Sequence, residues 1–77
     1  MTADPFTRFQ CTAVIDGREW TATMSLRRSV WEEATEQWRA EYADTCRARY
    51  GAWLRATAGI ELTDDQTAAV AVTAATR

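Results

Sequence analysis

Apolar and polar side chains alternate on both sides of Asp16-Gly17, from Arg8 to Ser25. Asp-Gly favours a two-residue type I′ turn, because both central residues need positive φ. Such a turn fixes the register of the two flanking strands. Ile15 falls opposite Arg18, Ala13 opposite Trp20, Cys11 opposite Ala22 and Phe9 opposite Met24. Every member of that set except Arg18 is apolar. The other face carries Arg8, Gln10, Thr12 and Val14 against Ser25, Thr23, Thr21 and Glu19, and is polar apart from Val14. A slip of one residue would mix the two faces. A β-hairpin over about residues 6–26 is therefore expected, with the Arg18 stem lying on the sheet and its head in water.

The pattern then changes period. Ser29 with Glu32 three residues on has the form of a capping box and predicts a helix start. From there to Ala58 the chain has no Pro and one Gly, Gly51, and Gly59 suits the left-handed residue after a helix end. At about 100° per residue, Trp31, Ala34, Trp38, Tyr42, Cys46, Ala52, Trp53 and Ala56 share one side of this helix. Glu32, Glu33 and Glu36 crowd its first turns, and Arg47, Arg49 and Arg55 its last ones, complementing the helix dipole. Asp44 and Arg47 are spaced for an intrahelical pair. Thr63-Asp64-Asp65-Gln66 is a second capping box, and it predicts a short helix over about 64–75; the Ala/Val/Thr run there also suits a strand. The expected fold is α+β, ββαα: an N-terminal hairpin packed on one long amphipathic helix, then a short C-terminal helix. With 77 residues and no dividing linker, residues 1–77 form one domain.

Dimensions add a constraint. An unbroken helix over residues 30–58 would run about 43 Å at a rise of about 1.5 Å per residue. Strands of nine residues or so reach only about 30 Å. Tyr50 and Trp53 would then overhang the hairpin. Arg49 falls within the aromatic stripe, where it would either lie over the indole of Trp38 or Trp53 or mark an interface. A lone two-stranded sheet is marginal in water, and both its edges are open to pairing. Self-association, with a homodimer favoured, or another protein partner is the expectation. Arg49, Tyr50 and Trp53, with Arg27 and Arg28, are the candidate interaction surface.

Composition narrows the chemistry. The chain has no His and no Lys, so the usual general base and Schiff-base amine are missing. Its acid pairs, Glu32/Glu33 and Asp64/Asp65, each open a predicted helix, and Gly17, Gly51 and Gly59 are too scattered for a phosphate loop. Cys11 and Cys46 are too few for a disulfide framework or a zinc site and read as buried free thiols. An enzyme, a catalytic residue, a cofactor and a metal are not expected. The net charge of −2 argues against nucleic-acid binding through bulk charge, although Arg8, Arg27, Arg28, Arg47, Arg49 and Arg55 keep a DNA- or RNA-binding accessory protein as the alternative. No apolar run approaches a membrane span, and Met1–Pro5 lacks the basic start and apolar core of a signal peptide, so a cytoplasmic protein is expected. All nine basic residues are Arg, and Ala and Thr abound. That usage fits a high-GC genome such as an actinobacterium or its phage. The leading expectation is a small non-enzymatic protein-interaction module.

Overall fold

In the computed structural model, which describes residues 5–75, the hairpin forms as its turn dictates. Asp16 and Gly17 take φ of 53° and 79°, joining β1 (Phe6–Ile15) to β2 (Arg18–Arg27). The pairing has the register set by the turn: Ile15 with Arg18, Ala13 with Trp20, Cys11 with Ala22 and Phe9 with Met24.

The run after Thr63 departs from expectation. Its capping box is present: the Thr63 hydroxyl accepts from the Gln66 amide at 3.1 Å, and the Gln66 side chain accepts from the Thr63 amide at 2.9 Å. The helix it starts, which we label α3 (Asp64–Ala68), ends there. Residues Ala71–Ala75 form β3 instead, antiparallel to β1, and the sheet order is β2-β1-β3. The reason is geometric. In a helix, Val70 and Val72 would point about 200° apart. In an extended chain residues two apart share a face. Val70 is buried, and Val72 packs beside the core while Thr73 faces out. Pairing also covers the second edge of β1. The class is α+β, with a three-stranded antiparallel sheet.

The long helix is in two pieces. A short helix, α1, spans Arg28–Glu33 and a longer one, α2, spans Glu36–Ala58, with Ala34 and Thr35 extended between them. The predicted Ser29–Glu32 box does not form, since no side chain caps α1. Its first residue is held by the sheet instead: the Arg28 amide donates to the Pro5 carbonyl at 2.8 Å and its guanidinium to the Phe6 carbonyl at 3.1 Å. Thr35 is the working cap, its hydroxyl accepting from the Trp38 amide at 3.1 Å. Across the break, Arg39 donates twice to the Trp31 carbonyl, at 2.8 and 3.2 Å, and lies 4.5 Å over the Trp31 ring. At the far end Gly59 takes φ of 69°, and the Gly59 and Ile60 amides donate to Arg55 and Leu54.

The break removes the expected overhang. The 23 residues of α2 span about 34 Å, close to the roughly 34 Å of a ten-residue strand. The break also resets the helical phase. Leu54, outside the predicted stripe, is fully buried, while Ala52 and Ala56 are exposed. The core is Phe9, Cys11, Cys46, Tyr50, Leu54 and Val70, between α2 and one face of the sheet.

Candidate functional site

The five candidate residues do not form one patch. Tyr50 is fully buried, and its hydroxyl donates to the Trp20 carbonyl at 2.6 Å. It sits in the core rather than on a surface, because α2 matches the sheet in length. Trp53 is half-buried, with ring centroids 6.5 Å from Trp20 and 5.8 Å from Tyr50. Arg27 is exposed where β2 ends, and Arg28 is held on the start of β1. Arg49 is exposed on the flank of α2. The cations found over indoles are Arg18, 4.3 Å from the Trp20 ring, and Arg39 over Trp31. Arg47 makes the expected pair with Asp44 at 2.9 Å and also donates to the Val70 carbonyl, tying α2 to the approach of β3.

Nothing about the two thiols suggests reactivity. Cys11 and Cys46 are free and fully buried. Burial, reinforced by Cys46, pushes the Cys11 thiol up from 9.0 to about 11. The nucleophile is the thiolate, so Cys11 is protonated and inert near neutral pH. Burial, and then Cys46, likewise pushes Tyr42 from 10.0 to about 12. Among the described residues no three His, Cys, Asp or Glu side chains come together as metal ligands, and no helix is long and apolar enough to cross a membrane.

The fold leaves two outer strands, β2 and the five-residue β3, and β2 is the longer. With β3 on one side of β1, β2 is an outer strand along all ten of its residues. Among the described residues no strand pairs with its outer side. The two-residue turn makes Ile15 and Arg18 a hydrogen-bonded pair, and every second pair after it is the same. Glu19, Thr21, Thr23, Ser25 and Arg27 therefore turn their amides and carbonyls outward. Their side chains lie on the sheet face away from the helices and are exposed. Edge strands are ordinarily guarded by charge, proline or a bulge. Here the charges are confined to the ends, and the stretch from Trp20 to Leu26 has none.

A groove of about 330 Å³ runs beside this edge, lined by Leu26 of β2 and by Trp38, Glu41, Tyr42, Thr45 and Arg49 of α2. Trp38 stacks on Tyr42 with centroids 5.4 Å apart and planes 5° from parallel, yet keeps 37% of its surface exposed. Tyr42 also packs on Phe9, which links the groove wall to the core. Of the five candidates, Arg49 lines this groove and Arg27 ends this edge. Open edges follow from an isolated hairpin, but only the pairing of β3 with β1 leaves β2, and not β1, as an outer strand. The groove is hidden by the predicted helix phase, which sets Trp38 in the stripe that packs on the hairpin. No protein-family model, curated protein or solved structure matches the chain.

Proposed function

We propose that this chain is a small non-enzymatic protein-interaction module, acting in the cytoplasm of a high-GC bacterium or its phage, whose contact surface is the outer edge of β2 with the groove beside it. The observation that carries this reading is the edge: ten residues long and uncharged through its middle. A strand added there would gain main-chain hydrogen bonds along its length, and the groove would take its side chains. The nucleic-acid alternative has weaker support. Arg28, Arg39 and Arg47 already donate to carbonyls of this chain, and Glu32, Glu33, Glu36 and Glu41 are exposed along the helices.

The test is Thr23→Pro. Proline is tolerated on an edge where its missing amide faces solvent, so the β1–β2 ladder survives while the outer edge is blocked. Wild-type protein should retain partners from an actinobacterial lysate that Thr23→Pro does not, with circular dichroism showing both folded. Equal retention by the two proteins, together with an oligomeric state unchanged by Thr23→Pro, refutes the edge as the contact surface. Retarded migration of mixed duplex or single-stranded DNA at low salt and tens of micromolar protein would favour the alternative.

A further inference from the structure

We propose that the β2 edge binds a second copy of this chain, antiparallel and two-fold symmetric about Thr23, to make a six-stranded sheet in the order β3-β1-β2-β2-β1-β3. This rests on the edge being a contact surface and commits to its occupant.

The outward amides and carbonyls belong to the odd-numbered residues from Glu19 to Arg27, so an antiparallel copy must pair odd residues with odd. Several registers satisfy that rule. One of them places Glu19 of each copy directly opposite Arg27 of the other, on the exposed face. It also sets Thr21 opposite Ser25 and Thr23 opposite itself. Shifting the two-fold axis by one residue in either direction separates both Glu19–Arg27 pairs and reduces the hydrogen-bonded pairs from five to four. On the helix side the same register sets Trp20 opposite Leu26 and Ala22 opposite Met24, all apolar and half-buried in one copy. Arg18 and Arg28, which approach one another beyond these pairs, are already engaged with the Trp20 ring and the Phe6 carbonyl.

The helix layer supports the same axis independently. Tyr42 packs on Phe9, which pairs with Met24, and Tyr50 reaches Trp20. Thr45 thus lies between the levels of Ala22 and Thr23. A two-fold axis at Thr23 brings the two grooves alongside each other, running in opposite directions. Glu41 and Arg49 are each four residues from Thr45, so Glu41 of one copy comes level with Arg49 of the other. The axis chosen by the Glu19–Arg27 pairs thus also brings these two charges together.

Cysteine cross-linking reads the register directly. In the proposed dimer the two Thr23 Cα atoms are about 5.5 Å apart, as in any directly opposed hydrogen-bonded pair, inside the disulfide range of roughly 4.4–6.8 Å. The two Thr21 Cα atoms are four residues out of register, roughly 14 Å apart. Under mild diamide oxidation, Thr23→Cys should give a disulfide-linked dimer on a non-reducing gel, while Thr21→Cys and the parent protein should not. Charge reversal is the second arm. Glu19→Arg or Arg27→Glu turns two opposite-charge pairs into two like-charge pairs and should weaken the dimer about tenfold or more by sedimentation equilibrium. The double variant E19R/R27E restores the pairing and should recover most of that loss. A chain that sediments as a monomer at hundreds of micromolar overturns self-pairing. So does equal cross-linking of the two cysteine variants, or a double variant no tighter than the singles. A monomer that still loses its lysate partners on Thr23→Pro would refute the second copy and keep the edge as the contact surface.

Discussion

Tyr50 decides between two pictures of this molecule, and Tyr50→Phe reads the difference. On an overhanging helix the hydroxyl would be in water, and removing it would change little. In the structure the side chain is fully buried and the hydroxyl donates to the Trp20 carbonyl at 2.6 Å. The Ala13–Trp20 pair belongs to the hairpin ladder, so that carbonyl keeps a partner in the variant and no buried group is orphaned. The loss is then that of one net hydrogen bond, about 0.5–1.5 kcal/mol. For a domain of 77 residues, at about 4–8 °C of Tm per kcal/mol, the midpoint should fall by roughly 2–12 °C. Thermal unfolding at neutral pH, followed by near-ultraviolet circular dichroism and by calorimetry, measures it. Tyr50→Ala removes the ring as well and should cost about 3–5 kcal/mol. A chain of this length has on the order of 0.05–0.15 kcal/mol of stability per residue, about 4–12 kcal/mol in all, so that variant should lose between a quarter and all of its stability. A Tyr50→Phe midpoint equal to wild type, with Tyr50→Ala as stable as wild type, refutes the placement of this residue and with it the match in length between α2 and the sheet.

Three further expectations follow from the same contacts. Thr35→Ala removes the hydroxyl that caps α2 and should cost about 1 kcal/mol, whereas Ser29→Ala, at the box that does not form, should be nearly neutral; equal costs in urea unfolding would place the helix start at Ser29 after all. Hydrogen exchange should find the Gln10 and Thr12 amides protected, because β3 pairs with β1 there; exchange at the rate of an open edge would mean that residues 71–75 are not a strand. Stability should be flat near neutral pH and fall as pH rises from about 9 to 12. Cys11 and Tyr42 are raised in the fold, to about 11 and about 12, and Tyr50 is raised by burial. The unfolded chain releases these protons first, so the fold loses stability through that window. A stability that rises between pH 9 and 11 would contradict the burial of these groups.

The features that could be read from the sequence are those fixed over a few residues. Asp16-Gly17 sets the hairpin register because the turn and the alternation on both sides of it agree. Gly59 and the Thr63–Gln66 box hold because each satisfies its own backbone groups within a few positions. What failed depended on distant residues. Ser29–Glu32 and Thr35 are both plausible caps in one short stretch, and the choice between them is made by the carbonyls of Pro5 and Phe6, which hold Arg28 against the start of β1. Residues 71–75 have helix-forming alanines, and only the free side of β1, some sixty positions earlier, makes them a strand. Arg49, which falls in the aromatic stripe by its angle, lines the groove. Tyr50 was misplaced by a length calculation that a two-residue break invalidates.

That break also accounts for the groove. An unbroken helix would carry Trp31 and Trp38 along one line, so that both would face the sheet. With Ala34 and Thr35 extended, Trp31 turns onto Phe9 at 4.8 Å and becomes part of the packed layer. Trp38, three residues after the Thr35 cap, is left to stack on Tyr42 over the open side of β2. Arg39 holds the arrangement by bonding the Trp31 carbonyl and covering its ring. The same few residues thus complete one end of the core and raise the wall of the groove. Covering the β2 edge would bury what remains exposed of Trp38, so the cap, the core and the proposed contact surface are coupled through it. A substitution at Thr35 or Arg39 should therefore alter association as well as stability, although neither residue lies on the edge.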